Sequence, residues 1–208
     1  MRSINVLSVL AVLCLLCASA SLVTAQENEA AILVGRLNTG DKGLQSSQVV
    51  KTAFDGATMY QINYARRFVD GQVASLHWEF LVAGAPTTNV KGTNLLLPRN
   101  YSTLFLTPGV KLKLFPNGGF SPYGVFGIGY GRYTSSQDLS NGQPNTGDRR
   151  NHTYAINYGG GIDMSLLGPL GVRGEVRDFV TGTPRLNTSL LANKQHNIQV
   201  AIGLVFRW

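Results

Sequence analysis

The segment 197–208, NIQVAIGLVFRW, alternates strictly between two sets of residues. One face carries Ile198, Val200, Ile202, Leu204, Phe206 and Trp208, and the other carries Asn197, Gln199, Ala201, Gly203, Val205 and Arg207. A period of two predicts a β-strand and excludes a helix. The aromatic residue at its end is typical of a boundary between water and hydrocarbon. The pattern therefore favours a strand that contacts a membrane, with nothing folded after it.

The N-terminal segment predicts a secretory signal peptide over residues 1–25. Arg2 precedes an apolar stretch over 4–17, and small residues lead to Ala25. The apolar stretch is too short to span a bilayer as a helix. Cys14 and Cys17 both lie within it, so an exported domain of residues 26–208 would carry no disulfide.

The composition indicates a barrel in lipid and argues against nucleic acid as a partner. Only 14% of the residues are charged, against about 25% in ordinary globular domains. The net charge is +7, but no Lys/Arg cluster with interleaved aromatic residues is present. The 24 glycines suit strands that bend strongly and approach one another closely.

Period-two segments predict eight strands, at about 30–37, 58–68, 73–83, 101–114, 122–134, 152–166, 170–180 and 195–208. Long polar connections alternate with short ones, as in outer-membrane barrels, where the short turns are periplasmic. The sequence thus predicts an all-β protein, an eight-stranded antiparallel up-and-down transmembrane β-barrel with both termini in the periplasm. The facing of strand 30–37 stays open, and Pro108 predicts a bulge near Thr107.

Aromatic residues near the strand ends predict two girdles at the membrane interfaces. The residues assigned to them are Tyr60, Tyr101, Phe115, Tyr123, Tyr133, Tyr154, Phe179 and Trp208.

Charged side chains on the faces opposite the apolar ones predict an ion network in the lumen. Its members are Arg67, His77, Glu79, Lys111, Lys113, Asp163, Arg173, Glu175, Arg177 and Arg207. A turn at Gly168 would set Asp163 opposite Arg173. Because the interior of an eight-stranded barrel is only wide enough for side chains, these ions are expected to pair and plug it.

A catalytic or metal-binding reading of the histidines finds less support. His77 and Glu79 share a face and could do acid–base chemistry, but the sequence places no serine nucleophile beside them. His152 and His196 are expected at the rim, without a second ligand at a spacing typical of zinc. We therefore expect no cofactor and no metal.

With its signal peptide, its strand count and the segments SPYGVFGIGYGRY, RGEVRDF and LVFRW, the chain resembles small bacterial outer-membrane β-barrels. These are the superfamily of the outer-membrane protein A transmembrane domain and the opacity-type porin-like proteins. The resemblance covers residues 26–208. It implies that Ile202, Leu204, Phe206 and Trp208 form a signal for the barrel-assembly machinery, and that the partners are outer-membrane lipid and lipopolysaccharide, with a monomeric state.

The resemblance implies roles in envelope integrity, adhesion or small-solute passage without selecting one. Our first hypothesis is a non-enzymatic barrel with a structural, envelope-integrity or surface-binding role, and three alternatives stay open. A small-solute pore is one. Barrels that resemble lipid A deacylases use a His-X-Ser motif, which none of the three histidines begins. A soluble lipocalin-like binder would share the strand count, but the Gly-X-Trp motif expected near its first strand is missing.

Overall fold

The computed structural model describes residues 27–40, 42–43, 51–91, 97–182 and 194–208. The predicted signal peptide, residues 1–25, lies outside the described residues. The strands are β1 (Asn28–Thr39), β2 (Lys42–Gly43), β3 (Lys51–Phe54), β4 (Ala57–Val69), β5 (Ala74–Lys91), β6 (Asn100–Leu114), β7 (Phe120–Ser135), β8 (Arg150–Leu167), β9 (Leu170–Gly182) and β10 (Lys194–Arg207). In these ranges no helix is long and apolar enough to cross a membrane.

Eight long strands close into an antiparallel barrel in the order β1-β4-β5-β6-β7-β8-β9-β10, which confirms the predicted fold. Closure occurs where β1 pairs with β10 from Glu29 opposite Arg207 to Thr39 opposite Asn197. The short strands β2 and β3 extend the edge of β5 beyond the barrel. We call the end that carries the short connections 70–73, 115–119 and 168–169 the turn end, and the opposite end the loop end.

Apolar side chains cover the outside of the barrel and polar side chains fill much of the inside. On β10, Ile202 is 61% exposed while Gln199 is 1% exposed. Trp78 points outward and stacks on Phe68, with ring centroids 4.7 Å apart. This arrangement is the inverse of a soluble barrel, whose apolar face is interior, and it is the arrangement of a transmembrane one. The lipocalin-like alternative is therefore wrong.

The facing of β1, left open by the sequence, follows the same rule. Ala31, Leu33 and Leu37 are buried inside the barrel, whereas Ile32 and Val34 are exposed on its outer face. The same alternation carries Glu29 into the lumen, where it is 3% exposed.

The bulge expected near Thr107 is absent. β6 keeps a constant register with β7 on both sides of Pro108, from Leu106 opposite Tyr130 to Gly109 opposite Gly127. Of the two strands that pair with β6, β5 carries a register shift instead, between Ala85 and Thr88, where one extra residue of β5 is inserted. Pro86 sits in that shift, and a proline that cannot donate to the ladder is accommodated there.

The two-girdle prediction is wrong for four of its residues. Tyr101, Tyr123, Tyr133 and Phe179 are all buried in the lumen. Tyr101 and Phe179 lie an even number of residues from the inward-facing Lys111 and Arg177 of their own strands, and Tyr123 lies an even number of residues from Tyr133. Because side chains alternate between the two faces of a strand, all four point inside. On the outer face, Tyr60, Tyr130 and Tyr154 lie toward the loop end, and Phe68 and Phe115 lie toward the turn end.

Candidate functional site in the barrel lumen

The lumen toward the turn end holds a group of buried ions that we call the turn-end ion cluster. Its members come from β1, β6, β8, β9 and β10, and are Glu29, Lys111, Lys113, Asp163, Arg173 and Arg207. Each faces inward because of the two-residue period of its strand. The sequence prediction contained all of them except Glu29.

Arg173 and Asp163 form the centre of the turn-end ion cluster. They lie opposite each other on β9 and β8. The guanidinium donates from Nε to Oδ1 of Asp163 at 2.7 Å and from Nη2 to Oδ2 at 2.9 Å. This two-pronged geometry is the strongest arrangement that an arginine and a carboxylate can adopt. The Arg173–Asp163 pair therefore joins the inward faces of β8 and β9.

Glu29 connects this pair to the lysines. Arg173 Nη2 donates to Oε1 of Glu29 at 2.8 Å, and the ammonium of Lys111 bonds the same oxygen. Lys113 bridges both carboxylates, at 3.1 Å from Glu29 Oε2 and 2.8 Å from Asp163 Oδ2. The register of β1 and β10 therefore matters for the interior, because a one-residue slip would turn Glu29 outward.

A second group of ions lies deeper, and we call it the central ion cluster: Glu79, Glu175 and Arg177. Arg177 grips Glu79 with two hydrogen bonds of 2.8 and 3.0 Å and donates to Glu175 Oε2 at 2.7 Å. Neutral side chains add hydrogen bonds to both carboxylates, with Asn63 donating to Glu79 Oε1 at 3.1 Å and Gln61 donating to Glu175 Oε1 at 2.6 Å. Every charge in this cluster therefore has a polar partner.

Tyr123 separates the two clusters and contacts both. Its hydroxyl donates to Glu175 Oε2 at 2.7 Å. Its ring faces the turn-end ion cluster, with Lys111 Nζ 4.1 Å and the Arg173 guanidinium carbon 4.9 Å from the ring centroid. Because an aromatic face attracts cations, the Tyr123 side chain binds a carboxylate through its hydroxyl and two cations through its ring.

The loop end of the lumen is closed by aromatic rings. Phe105 and Phe179 stack with centroids 4.6 Å apart, and Tyr133 meets Phe105 edge-on at 6.2 Å. The Tyr133 hydroxyl is hydrogen-bonded to Thr181 at 2.7 Å, and Asn197 donates to it at 3.2 Å. We call Tyr101, Phe105, Tyr133 and Phe179 the aromatic cap. Ions therefore occupy the lumen from the turn end to its middle, and aromatic rings occupy it toward the loop end.

Two predicted lumen residues lie beside the turn-end ion cluster but form neither an ion pair nor a hydrogen bond with it. Arg67 pairs with Asp70 at 2.9 Å at the turn end, because it lies only three residues before the turn. His77 contacts Ser75 through Nε2 at 2.9 Å and makes no hydrogen bond with Glu79. The acid–base pair considered from the sequence is therefore not assembled.

A polar contact on the outer face links β8, β9 and β10 toward the loop end. Asp178 Oδ2 lies 2.6 Å from His196 Nδ1 and accepts the Tyr158 hydroxyl hydrogen at 2.9 Å. A carboxylate that orients a histidine resembles part of a hydrolase site. Within the described residues no serine, threonine or cysteine side chain hydrogen-bonds to His196. The second rim histidine, His152, contacts Tyr130 instead.

Glu29 and Tyr123 are the main lumen residues that the ion network inferred from the sequence did not include. Extending the alternation of Leu33 and Ala31 by two residues would have reached Glu29. Tyr123 was assigned to a girdle although it shares a face with Val125 and Tyr133. In the described part of the chain, no group of three or more His, Cys, Asp or Glu side chains could hold a metal ion.

Comparisons with known proteins agree with this geometry. A family model for the outer membrane protein β-barrel domain matches residues 10–206. The structure of the outer membrane protein OprG from Pseudomonas aeruginosa is similar, with a TM-score of 0.58 and 14% identity over 88% of this chain and 96% of that one. Neisserial surface protein A gives a TM-score of 0.56 and 11% identity over 87% and 97%.

A third similar structure is the outer membrane protein AlkL in lipid bilayers, with a TM-score of 0.53 and 13% identity over 91% of this chain and 94% of that one. At such identities the likeness extends to the fold alone. No curated protein sequence matches the chain significantly.

Proposed function

Because this chain belongs to the outer membrane protein β-barrel domain family, we propose that it is a non-enzymatic outer-membrane barrel with a structural, envelope-integrity or surface-binding role. The observation that carries the proposal is the filled lumen. Arg173, Arg177 and Lys111 are each at most 1% exposed, and each contacts a carboxylate.

A small-solute pore would need a continuous polar path, and three successive layers of side chains oppose one. The turn-end ion cluster, the central ion cluster and the aromatic cap lie along the same axis. Opening the ionic layers would separate buried charges, and opening the cap would break the Phe105–Phe179 stack. These costs support a closed barrel whose stiffness, rather than its permeability, serves the cell.

The proposal includes an orientation and partners. Residues 1–25 act as a signal peptide, and both ends of residues 26–208 lie in the periplasm. The monomeric barrel contacts outer-membrane lipid and lipopolysaccharide. The barrel-assembly machinery reads Ile202, Leu204, Phe206 and Trp208. In support, Ile202 and Leu204 are exposed on the outer face, and the rings of Phe206 and Trp208 lie 5.6 Å apart.

Conductance of the refolded protein in planar lipid bilayers tests the closed lumen. We expect no steady current steps, because the narrow interior is filled. Insertion is verified in the same sample by the shift of the folded band on unboiled gels, and a general diffusion porin refolded identically is the positive control. A large, steady, weakly selective open channel would show that the proposed role is wrong.

Incubation with lipopolysaccharide tests the non-enzymatic assignment. We expect no release of fatty acid above that caused by the His196→Asn variant, because His196 has Asp178 but no described nucleophile. Release by the wild type that this variant loses would instead establish an enzyme on the outer face.

A further inference from the structure

The turn-end ion cluster contains more positive than negative charge. Its two carboxylates, Glu29 and Asp163, face four cations, Lys111, Lys113, Arg173 and Arg207. All four cations are at most 6% exposed. The nearby Arg67 is balanced by Asp70. The central ion cluster has two carboxylates and one arginine, so it offsets one of the two excess positive charges and leaves one. Because uncompensated buried charge is expensive, the excess calls for a counter-charge at this place.

Several donors in and beside the turn-end ion cluster have no hydrogen-bond acceptor within the described residues, among them Nη1 of Arg173. Nε of Arg207 makes no hydrogen bond, although Nη1 of the same group donates to Ser165 at 3.2 Å. Nδ1 of His77 is also without a partner. When the Ser75 hydroxyl donates to Nε2 of His77, the ring proton lies on Nδ1, so that this atom is a donor.

Arg207 and His77 both line one small cavity at the turn end. Its polar lining includes Asn28, Glu29, Arg67, His77, Lys113 and Arg207. The space open to the centre of a water-sized particle is about 10 Å³, enough for one such particle. The carboxylate of Glu29 is already neutralised there, since Lys111 and Arg173 contact Oε1 and Lys113 contacts Oε2.

We propose that this cavity binds a single small inorganic anion of the halide class, such as chloride. Arg207 Nε and His77 Nδ1 donate to the anion, and Lys113 and Arg67 add positive charge around it. The cavity is too small for a phosphate or an organic carboxylate. The anion reduces the excess positive charge of the turn-end ion cluster, so the folded barrel is stabilised by chloride independently of any role at the cell surface.

Thermal unfolding of the refolded protein in detergent tests the site, with sodium chloride compared against sodium gluconate at equal ionic strength. Gluconate exceeds the size of the cavity and controls for general screening. We expect a saturable rise of the melting temperature in chloride, about 2–4 °C when chloride is about fivefold above its Kd. Identical melting in the two salts would overturn the proposal and assign the cavity to water.

Variants locate the effect. Arg207→Gln should lose the chloride-dependent rise, whereas Arg36→Gln, on the exposed outer face of β1, should keep it. If Arg207→Gln does not refold, His77→Phe removes the other donor while keeping an aromatic ring, and should weaken the rise. In crystals soaked in bromide, an anomalous peak is expected between Arg207 and His77. A rise that persists undiminished in both lumen variants, or a peak elsewhere with none in this cavity, would contradict the site.

Discussion

At the scale of single residues, the central ion cluster shows that paired charges need not contribute equally to stability. Arg177 has two carboxylate partners, and Glu79 holds it with two hydrogen bonds even without Glu175. Loss of Glu175 therefore leaves a neutral pair. Loss of Arg177 leaves two carboxylates facing each other without a cation between them.

We expect Arg177→Met to cost about 3–5 kcal/mol of unfolding free energy, because it leaves uncompensated buried charge. Glu175→Gln should cost less, about 1–3 kcal/mol, since it weakens hydrogen bonds to Gln61, Tyr123 and Arg177 but leaves Arg177 paired. Urea titration of the two variants and the wild type in lipid vesicles gives both values. Equal costs, or a larger cost for Glu175→Gln, would contradict this account of the charges.

The sequence predicts which faces carry the lumen charges, but it predicts which charges meet only where a short turn joins the two strands. The turn at Gly168 is short enough to predict that Asp163 faces Arg173, and the register agrees. Glu29 and Lys111 are 82 residues apart in sequence and meet across the lumen rather than along a ladder. No local pattern contains that contact, because it depends on the diameter of the closed barrel.

At the scale of elements, the seam between β1 and β10 depends on glycine. A Cβ atom placed on Gly203 would overlap the carbonyl oxygen of Ile32 and lie 2.6 Å from Cα of Leu33. On the other strand, a Cβ on Gly35 would lie 2.7 Å from Cα of Ala201. The two strands therefore approach at this seam more closely than side chains permit.

Gly203→Ala should destabilise the barrel by about 1–3 kcal/mol, because a methyl group forces the seam apart. Gly174→Ala on β9 is the matched control, since a Cβ there meets nothing within 4 Å. The fraction that refolds, followed by the unboiled gel shift, and the urea midpoint measure the effect. If both alanines behave alike, close approach at the seam does not limit closure.

Strand positions were predictable and strand lengths were less so. β6 runs over Asn100–Leu114 against a predicted 101–114, whereas β5 continues to Lys91 against a predicted end at 83. In the sequence alone, Gly84 and Pro86 are typical of a turn. In the folded sheet the extra residue between Ala85 and Thr88 absorbs the proline, and pairing with β6 resumes. Where β5 ends therefore depends on its pairing with β6, which the local sequence of β5 does not show.

At the scale of the whole molecule, the barrel wall and the loops are separable. The connection between β7 and β8 folds back on itself, with Leu139 bridged to Pro98 and Asp138 bridged to Pro144. Leu97 is completely buried there and accepts a hydrogen bond from the Ser140 backbone at 2.9 Å. The bridges of this connection involve no residue of a barrel strand, and it is hydrogen-bonded to the strands near its ends, where the Ser136 N–H donates to the Asn100 carbonyl at 2.8 Å.

Deleting residues 138–144 should leave assembly in the outer membrane nearly unchanged, because loops contribute little to barrel pairing. The double variant Phe206→Ser/Trp208→Ser should sharply reduce the folded fraction. Both residues lie at the β1–β10 seam, and the substitutions remove two neighbouring aromatic rings whose centroids lie 5.6 Å apart. Pulse-labelled export with separation of folded and unfolded forms compares the two. Normal assembly of the double variant together with failure of the loop deletion would reverse this ranking.

The strict two-residue alternation affects the unfolded chain as well as the folded barrel. Apolar residues make up 44% of the sequence, yet along β10 each apolar outward residue is followed by an inward one that is polar or small, apart from Val205. In extended form, β10 therefore has no continuous apolar segment long enough to be retained in a bilayer as a helix. Its affinity for lipid emerges only when neighbouring strands align and the apolar halves merge into one belt. The two-residue period therefore postpones membrane affinity until the strands pair, so that the unfolded chain stays compatible with water.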